Sequence, residues 1–360
     1  MLQFVKLISQ LPGILLGKRR LIHDGDAVWE RRVGHRVLDI DDRQLHPRAQ
    51  GYMDFARKVR LPREQWTVAS MRASYETGTR WFGGVIRDMN IAEQTVTLGD
   101  EELTIRRYSP STTDAEAPVI LFFHGGGFVI GSLNTHDRFC RNLCDELAVE
   151  VIALDYRLAP EHRLPAAIHD AEALWDAIVQ GDMFPGVQPE NVLLCGDSAG
   201  AVLAMAVCEY AATTVPRVQP RGAVLIYPAV SLEGDTPSRA SMGAAEIVLN
   251  TELMEWFFEN SVDPNAEPLP SGTELSLADF PPTLVITCGF DPLRDEGQHF
   301  VDAGNNAGAT MQHKEYPRMF HGFITMAGLF SEADEVVEDI KQFVAGCPRS
   351  AQASDREVRD

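Results

Sequence analysis

Positive charge is scarce in this chain of 360 residues: 32 Lys and Arg stand against 52 Asp and Glu, a formal charge of -20. Such a surface repels phosphate backbones and anionic headgroups alike, which argues against nucleic acid as a partner. Lysine is rare and arginine supplies most of the positive charge, a bias that fits salt adaptation and genome base composition equally well. Long apolar runs are missing too. None reaches about 18 residues, so no membrane span is expected. The apolar start, Met1 to Leu16, is broken by Lys6, Gln10 and Pro12, and no small-residue cleavage site follows it. That argues against a signal peptide, and a cytoplasmic protein is expected. The six cysteines contain no C-x-x-C pair and lack the density of a disulfide scaffold. They read as small buried hydrophobes. His136, Cys140 and Cys144 are spaced four apart and would share one helical face, as metal ligands do, but no fourth ligand is evident and core packing is the better reading. No metal is expected. There is no internal repeat, no G-x-G-x-x-G and no P-loop lysine.

Hydrophobic residues make up 45% of the chain, ample for a large core. Residues 1 to about 85 carry helical periodicities, as in Met53 to Val59 and Trp66 to Arg72, without strand-like alternation. The first amphipathic piece (Phe4, Val5, Ile8, Leu11, Leu15) reads as cover for a groove on its own protein rather than as a membrane-surface helix, with Lys18, Arg19 and Arg20 solvated. From Gln94 the signal changes. Thr95 to Leu98, the turn Gly99-Asp100, and Leu103 to Tyr108 predict a hairpin. Strand-like runs then alternate with helical stretches: 119–123, 151–154, 192–195, 223–227, 284–288 and 311–316. That rhythm predicts an α/β fold with a mostly parallel sheet covered by helices. The interval from Tyr227 to Leu284 is too long for one connection, is rich in proline and contains the helical piece Glu252 to Phe258. It predicts an insertion over 231–275 that folds over the sheet. Residues 86–345 then form the domain built on the sheet, and 346–360 a disordered tail.

The chemistry centres on Val192-Leu193-Leu194-Cys195-Gly196-Asp197-Ser198-Ala199-Gly200, an apolar run that stops at a serine flanked by glycines and precedes a helix-forming stretch. This is a G-x-S-x-G nucleophile elbow, with Ser198 at a strand-to-helix turn and the Ala199 N–H at the helix N-terminus, where an oxyanion would be stabilised. A serine hydroxyl needs a histidine to take its proton, and the imidazole needs a carboxylate. Asp291 follows the strand 284–288 with Pro292 suited to start a helix, and Asp295, one turn further on, is its rival. His321 follows the strand 311–316. Ser198, Asp291 and His321 thus leave one rim of the sheet in the chain order used by α/β-hydrolases. Taken singly, Asp291 reads as a helix cap and His321 as a loop histidine. The strand 119–123 ends in His124-Gly125-Gly126-Gly127-Phe128, similar to the HGGG-type oxyanion loop of lipases and esterases, which points to Gly125 and Gly126 as donors beside Ala199.

With these motifs in place, residues 86 to 345 resemble the hormone-sensitive-lipase family of microbial esterases. The stretch Asp155-Tyr156-Arg157-Leu158-Ala159-Pro160-Glu161, followed by Pro165-Ala166-Ala167, is part of that likeness. The resemblance implies an α/β-hydrolase fold of about eight strands, a helical cap built from the N-terminal segment and the insertion, and hydrolysis of short to medium acyl esters without a cofactor. Ala201 departs from the family's usual glycine. Phe128, Trp256, Phe257 and Phe258 are the candidate substrate-binding residues, although packing of the cap onto the core explains the last three equally well. The expected partners are a small-molecule ester and, in a homodimer, a second copy of the chain. Two rivals stand beside the esterase. One is a non-catalytic ligand-binding protein like the plant gibberellin receptors, in which the triad histidine is lost. The other is a peptidase, for whose propeller the chain has no spare length. A lactonase, thioesterase or amidase would use the same residues.

Overall fold

The runs 119–123, 151–154, 192–195, 223–227 and 284–288 become strands buried on both faces, whereas 311–316 becomes part of a half-exposed edge strand. The computed structural model describes residues 2–112, 116–181, 183–214, 218–231, 234–245, 247–265 and 272–348. The strands are β1 (Asn90–Leu98), β2 (Glu101–Ser109), β3 (Val119–Phe123), β4 (Glu150–Asp155), β5 (Val192–Asp197), β6 (Gly222–Ile226), β7 (Thr283–Phe290) and β8 (Met311–Phe320). They form one eight-stranded sheet in the order β8-β7-β6-β5-β3-β4-β2-β1. All neighbours from β4 to β8 are parallel, β2 is antiparallel to β4, and β1 and β2 make the hairpin. This is the α/β-hydrolase fold.

Alternation along the strands feeds two cores. Ile120 and Phe122 of β3 pack on one face with Phe139 and Leu143 of helix Leu133–Leu147 and with Val336 and Ile340 of helix Glu332–Gly346. Leu121 and Phe123 pack on the other face with Leu174, Leu203 and Phe300 of helices Ala166–Gln180, Ala199–Thr213 and Arg294–Ala307. At that burial each large apolar side chain contributes about 1.5–3 kcal/mol, and the strands need no polar face.

The N-terminal segment holds helices Leu2–His23, Asp26–Val33, Pro47–Val59 and Val68–Phe82. Thr67 and Ser70 close a reciprocal cap at the start of the last. It also holds a two-stranded ribbon, Asp39–Ile40 against Arg43–Gln44, where no strand was expected. Its turn residues Asp41 and Asp42 both adopt positive φ (53° and 60°), a hairpin turn that aspartate tolerates. Arg43 ties the ribbon to Glu315 of β8. Lys18 lies over the Trp81 ring, 4.4 Å from its centroid, instead of standing free in solvent. The side chains of residues 4, 5, 8 and 11, and the tail from residue 349, lie outside the described residues. The insertion carries helices Pro237–Met242 and Thr251–Ser261, the second capped by Asn250, whose side chain accepts from Leu253 N at 3.0 Å. No described helix is long and apolar enough to cross a membrane.

Candidate active site

Strand order brings the two glycine motifs together. β3 and β5 are adjacent, with Phe123 opposite Gly196, so the loop after β3 and the elbow after β5 leave the same edge where the connections diverge. Contact is close enough that a Cβ on Gly200 would sit 2.0 Å from the Phe123 carbonyl oxygen. Ser198 takes φ 54° and ψ -118°, a conformation that non-glycine residues adopt only under constraint. The turn lifts its hydroxyl toward His321, whose Nε2 lies 2.9 Å from Ser198 Oγ. His321 Nδ1 lies 2.8 Å from Asp291 Oδ2, while Asp291 Oδ1 accepts from Leu293 N at 2.9 Å. An acceptor carboxylate on Nδ1 fixes the proton there, which leaves the Nε2 lone pair facing the serine hydroxyl. The Tyr227 ring packs on the imidazole with centroids 4.5 Å apart. Asp295 is engaged elsewhere: its Oδ2 accepts from Ser238 N at 2.8 Å and its Oδ1 from Arg294 Nε at 2.8 Å.

The expected set of oxyanion donors needs correction. Gly125 N–H donates to Asp197 Oδ1 at 2.8 Å and is not available to a substrate. The N–H groups of Gly126, Gly127 and Ala199 donate to no acceptor among the described residues. Gly126 (φ 128°) and Gly127 (φ 58°) hold backbone conformations that only glycine adopts freely, and a Cβ on Gly127 would strike the Phe257 ring at 2.3 Å.

Ser198, His321, Gly126 and Gly127 open into a cavity of about 860 Å³. Its walls include Tyr52, Phe55, Met71, Tyr75 and Trp81 from the N-terminal helices, and Ile247, Val248, Leu253 and Phe257 from the insertion. The candidate aromatic residues separate here. Phe257 lines the cavity. Trp256 is buried edge-on against Trp66 at 6.3 Å, and Phe258 is 38% exposed. Phe128, with φ 62°, is buried in the core that holds Leu121 and Phe123, and neither it nor Trp256 nor Phe258 lines the cavity.

The sequence assigns no role to Asp197, Tyr227 or Tyr75, although Asp197 sits inside the elbow motif, and it reads His136 only as core packing or a metal ligand. Among the described residues no three potential ligands gather into a metal site. His136, Cys140 and Cys144 are all buried, and His136 Nε2 faces Asp197 Oδ1 at 3.1 Å. Burial would raise the Asp197 carboxyl, but His136 and the Gly125 N–H hold it below the usual carboxylate range.

His124, at the head of the oxyanion loop, stacks on Tyr156 with centroids 4.3 Å apart and places Nδ1 2.9 Å from Gly125 O. Burial, then the neighbouring His136, pushes it down to about 3. The unfolded chain therefore takes up a proton near pH 6.5 that the folded chain refuses. This group's contribution to stability is complete above that pH and is lost as pH falls toward 3. Between pH 6 and 4 the loss is at most about 1.4 kcal/mol per pH unit. His124→Asn keeps a donor near the Nδ1 position and should flatten the fall in unfolding free energy by about that slope, measured by urea melts at several pH values. An unchanged slope would show that His124 titrates normally.

A Ser-His-Asp array at the carboxyl ends of parallel strands, its aspartate and histidine buried and its serine partly exposed, defines a serine hydrolase of the α/β class. The alpha/beta hydrolase fold family matches residues 120–325, and the chain belongs to it. The resemblance to the hormone-sensitive-lipase family agrees with that membership. An ethyl acetate hydrolase from Pseudomonas putida is 30% identical over 318 residues, covering 83% of this chain and 99% of that protein. An ester-hydrolase from the metagenome of Lake Arreo, solved with a derivative of bipyridine phosphonate, superposes with TM-score 0.77 at 29% identity, covering 84% of this chain and 99% of that one. A hyperthermophilic esterase from the archaeon Pyrobaculum calidifontis gives 0.73 at 30% identity, with 82% and 97% covered.

Proposed function

We propose that the protein is a serine carboxylesterase acting on short to medium acyl-chain esters through an acyl-enzyme. The observation that carries this is the hydrogen-bonded line from Ser198 Oγ through His321 to Asp291, opening into a largely apolar cavity. Relatives named ethyl acetate hydrolase and esterase support it. Ser198 attacks the ester carbonyl as His321 Nε2 takes its proton. The tetrahedral oxyanion rests on the N–H groups of Gly126, Gly127 and Ala199, and His321 then protonates the departing alcohol. Water repeats the cycle on the acyl-enzyme while Asp291 holds the imidazole and its charge.

In this reading residues 1–85 and 231–275 act as a cap over the catalytic domain 86–345, and Phe257 guides the substrate. An acyl chain under the cap gains up to about 0.8 kcal/mol per methylene until it meets packed protein, after which each further one costs about 1 to 3 kcal/mol. A p-nitrophenyl ester series from acetate to palmitate should peak in kcat/KM at roughly four to eight acyl carbons and then fall. Palmitate turned over as well as butyrate would remove the enclosed-pocket argument. Matched butyryl thioester, lactone and amide substrates in the same assay separate the esterase from its relatives in chemistry.

A further inference from the structure

Asp197 is a buried carboxylate beside the nucleophile that acyl transfer does not use. Its Oδ1 accepts from Gly125 N at 2.8 Å and faces His136 Nε2 at 3.1 Å, and its Oδ2 accepts from Tyr227 OH at 3.3 Å. His136 is 1% exposed and belongs to helix Leu133–Leu147, which starts just after the oxyanion loop. Its Nδ1 is held 2.9 Å from Thr135 Oγ1, its ring stacks on His124 at 5.6 Å, and the cavity-lining Tyr75 places its hydroxyl 3.5 Å from Nε2. The imidazole is therefore fixed on several sides, with one N–H aimed at the carboxylate.

This arrangement solves two physical problems. A carboxylate without partners in the interior either takes up a proton or moves toward water. Either change would weaken its grip on Gly125. The loop it grips also has little to hold itself: Gly125, Gly126 and Gly127 carry no side chains, and three successive glycines lose more conformational freedom on ordering than any other residues. An uncompensated negative charge here would further oppose an oxyanion forming at the next residue's ester adduct.

We propose that His136 is a positioning residue for the oxyanion loop: by donating Nε2–H to Asp197 it fixes that carboxylate on Gly125 N–H and leaves Gly126 and Gly127 N–H for the oxyanion. The proposal rests on the esterase reading, and its signature is loss of transition-state stabilisation without loss of substrate binding. His136→Phe keeps the ring volume and removes the donor. Its kcat for p-nitrophenyl butyrate should fall about 10²-fold, the scale of one oxyanion donor, with KM changed less than about threefold. Affinity for an alkyl trifluoromethyl ketone, which forms a tetrahedral adduct with the serine, should fall in parallel. His136→Gln, which carries an N–H near the Nε2 position, should recover all but about tenfold of the loss.

A folded His136→Phe enzyme with kcat within threefold of wild type overturns the proposal. So does unchanged ketone affinity beside a lowered kcat, or a Gln variant no better than Phe. If His136→Phe does not fold, Asp197→Asn decides. It should lose kcat and ketone affinity together, and wild-type values for both would refute the assignment. A phosphonate ester titrated against the wild-type protein keeps the two readings apart. Failure to label Ser198 removes the esterase itself, whereas stoichiometric labelling beside any of the overturning outcomes removes only the role of His136.

Discussion

Ser198→Ala is expected to lower hydrolysis of p-nitrophenyl butyrate by about 10⁵ to 10⁶-fold, since removal of the nucleophile disables the whole triad. Nothing else in the elbow replaces it: no other hydroxyl occupies that turn, and His321 Nε2 has Ser198 Oγ as its contact. The protein should remain folded. The serine side chain caps no backbone group of the helix it begins, so its removal forfeits one hydrogen bond, worth about 0.5–1.5 kcal/mol. Ser198→Gly should be more stable than Ser198→Ala by about 1 kcal/mol, because glycine occupies φ 54°, ψ -118° without Cβ strain. Rates, thermal melts and intact-mass labelling by a phosphonate ester check the three statements. Labelling at another residue, or near wild-type turnover in the alanine variant, would displace Ser198.

Asp291→Asn should lower kcat by up to about 10⁴-fold with the fold intact. The substituted amide retains an oxygen for Leu293 N, so the loop after β7 survives. It then presents NH₂ to His321 Nδ1, which reverses the tautomer and puts a proton on Nε2, where the serine needs a base. Asp295→Asn should cost less than about tenfold in kcat. Asp295 spends both oxygens on Ser238 and Arg294, contacts that fasten helix Pro237–Met242 of the insertion, so its loss should appear mainly in stability, by about 1–3 kcal/mol. Kinetics and melts of the two variants, measured together, decide between them; the reverse ranking in kcat would transfer the role to Asp295.

Much of the fold was legible because the signals are local. β3 to β7 are short apolar runs bounded by turns, β8 is a longer, half-exposed edge strand, and each lies within a few residues of the stretch that the sequence marks. The ribbon at Asp39–Gln44 was not, since two-residue strands show no periodicity and only the positive φ of Asp41 and Asp42 marks the turn. The three consecutive aromatic residues Trp256, Phe257 and Phe258 illustrate another limit. Successive helical side chains point about 100° apart, so one can face the cavity while its neighbours face Trp66 and solvent, and the sequence does not say which.

By itself, the sequence determined the strand-helix alternation, the elbow serine and the chain order of serine, aspartate and histidine, because each depends on residues within one turn or one strand of itself. Tertiary structure decided which groups they meet. That Gly125 is held by Asp197, across 72 residues, follows from the pairing of β3 with β5, and that His136 shares that carboxylate follows from how the next helix packs on the sheet. A hydrogen bond needs its partners within about 3 Å, and a placement that fine is set by register and packing between distant segments, which no local pattern encodes.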